Sequence, residues 1–440
     1  MDRRLREKNA ALLAAERGTV RKPAGLAATV ALAYPNTYHV GMSNLGLHQT
    51  YGILNERSDT ACERVFLPDE EDLGSYGEGK EPLFSLESGR PAKDFDILAF
   101  SVSFEQDYVN VITMLRLAGV PVGAEERGED DPLVLLGGIC GFFNPEPLAG
   151  FFDIVVVGEG EEITGELIDV FLAERGKGKR DLLRALSRVP GVYVPSFYEV
   201  LYNDDGTIRE RRSLEPGAPQ RIRKRTVTDL DRRPAATSII TSNTEFGGMY
   251  LAEVARGCGR HCRFCMAGYL YLPPRNVGAD AAKQEAARAD ERCGKIGLVG
   301  SALSDYPGVE DLCTAITGSL SVSSLRADSV SPALIARLAQ SGHKTIALAP
   351  EAGSERLRKV INKGVTEADV LRAADLVFGS GIPNLKLYFL IGLPTETGED
   401  VDAIIELARR VREVQLVHAR PLGRIGRITL SVNSFVPKPF

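Results

Sequence analysis

The stretch YLAEVARGCGRHCRFC, residues 250–265, decides the reading of this 440-residue chain. It opens as an apolar run of strand length and then places Cys258, Cys262 and Cys265 at the spacing CxxxCxxC. Three thiolates so spaced on one loop can converge on three irons of a cubane cluster, whereas a ferredoxin-type site takes four cysteines. One iron is then left without a protein ligand, and an open coordination position is what separates a catalytic metal centre from a structural one. A structural zinc site with His261 as the fourth ligand is the competing reading; zinc modules usually pair two separated ligand knuckles, and His261 lies inside this single loop. Cys62, Cys140, Cys293 and Cys313 read as ordinary buried cysteines.

Downstream, strand-like segments recur at 250–257, 295–300, 320–329, 345–353, 385–394 and 427–437. The segments between them, such as SPALIARLAQSG and TEADVLRAADLVFGSG, have helical spacing and end in glycine. Six such units predict a partial parallel barrel, whose active site belongs at the carboxyl ends of the strands, and the cysteines follow the first strand. On the fifth strand, period-two spacing puts Lys386, Tyr388 and Leu390 on one face and Leu387 and Phe389 on the other. Turned into a barrel, Lys386 is a candidate for substrate contact or proton transfer; the alternative is a strand-end lysine reaching solvent.

Upstream, apolar runs at 28–34, 96–102, 132–138 and 153–159 alternate with helical stretches such as NLGLHQTYGILNER and QDYVNVITMLRLAGV. Short continuous apolar strands between amphipathic helices predict an open, doubly wound parallel sheet. The organisation expected is an N-terminal helical segment over 1–27, a Rossmann-like domain over 28–178, a connector with short strands over 179–245 and the partial barrel over 246–440. The composition, 44% hydrophobic and 25% charged with a net charge of −6, is that of an ordinary globular protein and excludes a wholly basic nucleic-acid binder. The basic run RIRKR at 221–225, with Arg232 and Arg233 behind it, reads as a solvated linker face or a local nucleic-acid patch. The N-terminal MDRRLREKNAALLAAERG is charged throughout, without the apolar core of a secretory signal, so the expected location is cytoplasmic, with no membrane partner. Seven cysteines, an odd number, argue against a disulfide framework.

CxxxCxxC with an aromatic residue, Phe264, just before the last cysteine, on a loop after the first barrel strand, resembles the radical S-adenosylmethionine (SAM) superfamily. The resemblance implies a 4Fe-4S cluster on Cys258, Cys262 and Cys265 whose open iron chelates SAM, and one-electron cleavage of SAM to a 5'-deoxyadenosyl radical. It also implies a low-potential electron donor such as flavodoxin or ferredoxin. Where relatives carry a Gly-Gly-Glu-like turn, this chain reads Val299-Gly300-Ser301-Ala302; Gly300 and Ser301 are candidates for the SAM contact, and Asp305 for the missing carboxylate. APEAGSERLRKVINKG resembles the fourth-strand region and makes Glu351, Ser354 and Arg356 candidates for polar contact. YFLIGLPTET resembles the fifth-strand motif bordering the adenine, with Leu390 and Gly392.

The first half is similar to the cobalamin-binding domain that precedes the barrel in one group of these proteins. Ser101, Ser103, Gly137 and Gly138 are the candidates for the corrin or its nucleotide tail. The DxHxxG motif that ligates cobalt in other cobalamin proteins is absent, so the alternative is a fold kept as scaffold. The whole resembles α/β proteins with a doubly wound, cobalamin-binding-type domain followed by a partial (β/α)6 radical SAM barrel. The reaction expected is cobalamin-dependent C-methylation. The alternatives are a radical rearrangement, cyclisation or modification of RNA, and a non-catalytic iron-sulfur or redox-sensing module. In relatives a strand like that at SVNSFVPKPF continues into more chain, so a missing or separate C-terminal partner domain is expected.

Overall fold

The computed structural model describes residues 2–77 and 79–439; the outermost residues of the expected first and last segments, Met1 and Phe440, lie outside them. The chain packs as two units, 1–227 with 237–248, and 228–236 with 249–440. The segment 179–245 is therefore divided between them, and residues of 1–27 are built into the first.

The first unit is a six-stranded sheet in the order β2-β1-β3-β4-β5-β6, formed by Ala28–Tyr34 (β1), Thr60–Phe66 (β2), Ile97–Ser101 (β3), Leu133–Gly137 (β4), Ile154–Val156 (β5) and Val192–Tyr193 (β6). All neighbours are parallel except β5 and β6. β1 and β3 are buried along nearly their whole length, as apolar strands covered on both faces must be. The order reverses between β1 and β3, which makes the crevice beyond their carboxyl ends the topological switch point where such sheets bind ligands. The helix after β1, Leu45–Glu56, starts where the Asn44 side chain accepts from the Leu47 N–H, and the helix after β3, Tyr108–Ala118, stops at Gly119 with φ +71°.

β2 is not among the strands the sequence predicts. Its sequence, TACERVF, carries Glu63 and Arg64 where a buried strand normally carries apolar side chains. Arg64 is nonetheless fully buried, because Glu16 and Glu87 pair with it at 2.7 and 2.6 Å, so one of the two acids that neutralise it comes from the N-terminal segment. Beyond β6, Tyr198–Tyr202 (β7) and Ile208–Ser213 (β8) form a separate antiparallel hairpin around Asn203-Asp204-Asp205-Gly206. In the basic run, Arg225 is bound to Glu166 and Glu162 and bridges the backbone of Gly158.

The second unit carries the barrel strands: Tyr250–Arg256 (β9), the two-residue Arg275–Asn276 (β10), Lys295–Gly300 (β11), Ser319–Val322 (β12), Thr345–Glu351 (β13), Asn384–Ile391 (β14) and Ile428–Ser434 (β15). Six of them run parallel, in sheets β9-β11-β12 and β13-β14-β15, linked by a single parallel bridge from Leu325 to Leu348; β10 adds antiparallel to β9. This is the partial six-stranded barrel. The expected strand 320–329 ends at Val322, where the polar Ser-Ser-Leu-Arg-Ala-Asp leaves the sheet except at Leu325. Helices open on side-chain caps: Ser331 before Pro332–Gln340, and capping boxes Thr366/Asp369 and Thr397/Asp400 before Glu367–Gly379 and Gly398–Ala419. No described helix is long and apolar enough to cross a membrane.

Candidate active site

β9 feeds directly into the cysteine loop through Gly257. Its φ is +79°, and a Cβ there would stand 2.2 Å from the Tyr271 carbonyl oxygen, so only glycine fits. Cys262 is buried and Cys258 and Cys265 half-buried, all three as free thiols. The loop is tied down from three directions. The Arg263 backbone donates to the Ile361 carbonyl at 2.9 Å, and its guanidinium to the Val360 carbonyl at 2.6 Å. The Asn362 amide donates to the His261 carbonyl at 2.9 Å. Arg260 forks onto Asp305 at 2.7 and 2.8 Å and reaches Asp328 at 3.1 Å. His261, Asn362 and Glu351 all have positive φ, at 53°, 53° and 69°; non-glycine residues held so are costly, and these three belong to the cysteine loop and the segment it is bound to.

The donor set can be tested against the two metals. A tetrahedral structural zinc takes a fourth protein ligand beside three thiolates. His261, the one candidate for it on this loop, is exposed. Three thiols on one loop fit a polynuclear group held at three corners. Burial pushes the Cys265 thiol up, while the backbone N–H groups of Ala267 and Gly268 act to bring it down. The Arg326 guanidinium Nη1 lies 3.7 Å from Cys262 Sγ.

Around the loop the structure gathers a second set of groups. Glu351 ends β13, and its carboxylate lies 3.3 Å from Lys363 Nζ; burial raises its pKa, with Lys363 and Arg326 opposing. Lys363 is itself buried, its Nζ 5.7 Å from the centre of the Phe264 ring. Phe264 and Leu390 pack on the same apolar cluster of Ala352, Leu357, Ile361 and Leu393. Lys386, Tyr388 and Leu390 share the half-exposed face of β14 and Leu385, Leu387 and Phe389 the buried one, with Lys386 Nζ 4.7 Å from the Tyr388 ring centre. Gly300 ends β11 against Ala255, Ser301 beyond it is exposed, and Gly392 is exposed with φ +79° and open space where a Cβ would stand.

Three candidates are engaged elsewhere in the chain. Ser354 caps the helix Glu355–Val360 and donates to Asp400, and Arg356 pairs with Asp400 and with the Thr395 carbonyl. Asp305 is taken by Arg260; burial would raise its pKa, and Arg260 holds it below the ordinary value. Sequence reasoning missed Arg326 and Lys363. The one signal for each was a lone cation inside an otherwise apolar or small stretch, Ser-Leu-Arg-Ala and Ile-Asn-Lys-Gly-Val.

In the first unit, Ser101 is buried at the end of β3, and Ser103 accepts from the Asn44 amide at 3.0 Å. Asp107, in the same crevice, is buried and accepts from Asn36 at 2.8 Å through one oxygen, while its second oxygen has no hydrogen-bond partner among the described residues. Gly138, φ +82°, has a reason of the chain's own: a Cβ there would lie 2.5 Å from the Val102 carbonyl oxygen. Gly137 is less crowded, its missing Cβ 3.6 Å from the Phe100 carbonyl.

Residues 46–195 match the model of radical SAM proteins, N-terminal, and residues 252–408 that of the radical SAM superfamily. The uncharacterized protein MJ0966 of Methanocaldococcus jannaschii is 30% identical over 419 residues, 93% of this chain and 78% of that protein. The chain belongs to the radical SAM superfamily of enzymes. Among solved structures, this radical SAM chain is similar in fold to OxsB, a cobalamin-dependent radical enzyme with aqua-cobalamin and SAM bound, at TM-score 0.57 and 16% identity over 86% of this chain and 51% of OxsB. It is similar also to the methyltransferase TsrM from Kitasatospora setae with cobalamin and a [4Fe-4S] cluster bound, at TM-score 0.55 and 16% identity over 92% and 72%. At that identity the likeness is one of fold, and the chain spans about half the length of OxsB.

Proposed function

We propose that this chain holds a 4Fe-4S cluster on Cys258, Cys262 and Cys265 to cleave SAM reductively, and binds cobalamin in its N-terminal unit to carry a methyl group to an unactivated carbon. The observation that carries the reading is the loop itself: three free thiols directly after the first strand of a parallel half-barrel, with His261, the fourth ligand a zinc site there would need, exposed. When bound, the reduced cluster supplies the electron that splits the sulfonium of SAM into methionine and a 5'-deoxyadenosyl radical, and cobalamin supplies a methyl carrier.

The residues divide the remaining work. The cysteines hold three corners, and the ties from Arg260, Arg263 and Asn362 keep the loop in shape. Glu351 and Lys363 offer opposite charges to a ligand that, like SAM, carries both an ammonium and a carboxylate. Phe264 and Leu390 supply apolar wall, and Gly300, Ser301 and Gly392 let backbone approach the nucleoside. Ser354 and Arg356 serve by fixing the turn after Glu351 through Asp400. Lys386 and Tyr388, on the open face of β14, are placed to meet substrate. Ser101, Ser103 and Gly137 line the carboxyl end of the first sheet, where the cobalamin tail would enter, and Gly138 shapes the turn there.

The test is to load the full chain anaerobically with hydroxocobalamin, remove free corrin, and supply reductant and methyl-labelled SAM. About one corrin per chain that acquires the label supports the methyl-carrier reading. SAM cleavage without corrin binding would leave a radical enzyme of another kind, such as one that rearranges or modifies RNA; neither would leave a non-catalytic iron-sulfur module.

A further inference from the structure

We infer that Arg326 sets the reduction potential of the iron-sulfur centre by directing one N–H of its guanidinium at the sulfur of Cys262. The inference rests on the reading that Cys258, Cys262 and Cys265 hold a 4Fe-4S cluster.

Arg326 follows the bridge residue Leu325, and its side chain is held in one orientation. Nε and Nη2 fork onto Asp328, both at 3.0 Å, and Nη2 also donates to the Lys363 carbonyl at 2.8 Å. With those groups fixed, Nη1 faces Cys262 Sγ at 3.7 Å, and both residues are buried, at 8% and 7% exposure. Cys262 is the most buried of the three thiols, so a charge beside it is little screened by water. Taking up one electron makes the cluster and its thiolates more negative by one unit. A fixed cation and a hydrogen bond at a ligand sulfur stabilise that reduced state more than the oxidised one and raise the potential. Asp328 cancels part of the effect, and it is shared with Arg260 of the cysteine loop, so the same carboxylate trims both cations. An arginine that served packing alone would need no free N–H aimed at a sulfur.

The test is a titration of the reconstituted full chain with a low-potential one-electron reductant, titanium(III) citrate with mediators, following the reduced cluster by electron paramagnetic resonance and measuring iron and sulfide per chain. At a fixed potential, Arg326→Gln is expected to lower the ratio of reduced to oxidised cluster about tenfold, equivalent to about 59 mV for a one-electron couple. Arg326→Lys, which keeps the charge, is expected to lower it less than threefold. Asp328→Asn is expected to move the ratio severalfold upward. Full iron content with an unchanged ratio in Arg326→Gln overturns the inference alone. If that variant is too poor in iron to titrate, Asp328→Asn decides, and a ratio that stays or falls overturns it. A wild-type chain that assembles no cluster overturns the underlying reading and this inference with it.

Discussion

Gly257 is where one missing methyl decides whether the cysteine loop can form. An alanine there must hold φ near +79° and displace the Tyr271 carbonyl 2.2 Å away. Gly257→Ala is expected to cost about 2 kcal/mol and to lower the iron bound on reconstitution, read by thermal unfolding of the metal-free chain and by iron analysis. Unchanged values in both would contradict this account of the turn. Lys363 acts through Glu351. That carboxyl is held above the ordinary value of 4.5 by burial, so the folded chain keeps the proton more tightly than the unfolded one. Its contribution to stability is therefore largest below about pH 4.5 and falls as pH rises through the folded pKa. Lys363→Met removes the charge that compensates the ionised form. The expected loss is about 2 kcal/mol at pH 8 and distinctly less at pH 5, measured by chemical denaturation. The three cysteines were legible because their spacing is local. Arg326 was not, because its partner Cys262 lies 64 positions away, and for the same reason the sequence did not show that Ser354 and Arg356 turn to Asp400, 46 and 44 positions on.

The helix Gly398–Ala419 begins on a carboxylate with more than one task. Asp400 accepts from the Thr397 backbone at 2.9 Å, and it also binds Ser354 and Arg356. Arg356, foremost, holds the Asp400 carboxyl far below the usual carboxylate range. Stability from a depressed carboxyl is present above its unfolded pKa, about 3.8, and is lost only as pH falls through the folded value. Asp400→Asn is therefore expected to cost about 1–2 kcal/mol, equally at pH 8 and pH 5, with the difference closing in strong acid. A difference that grew between pH 8 and pH 5 would contradict this. The elements legible in the sequence were those with uninterrupted apolar patterns, such as β1, β3 and β14. β2 was hidden by Arg64, whose burial depends on Glu16 and Glu87 rather than on its neighbours in the strand.

At the scale of the molecule, alternating strands and helices were enough for the fold class. The order β2-β1-β3-β4-β5-β6 was not readable, because it depends on which side each crossover takes. Two compact units also predict separable chemistry. A chain with Cys258→Ala, Cys262→Ala and Cys265→Ala is expected to bind hydroxocobalamin as the wild type does, by absorbance after gel filtration. Loss of corrin in that variant would contradict a site formed by the first unit's own residues. The central claim is the cluster on the three thiols and the cleavage of SAM that it supports. Its most direct test is anaerobic reconstitution with iron and sulfide, reduction in the presence of SAM and quantitation of 5'-deoxyadenosine, for the wild type and the triple alanine variant. The account predicts about four irons per chain and deoxyadenosine in the wild type alone. Zinc in place of iron, or a full cluster that never yields deoxyadenosine, would contradict it.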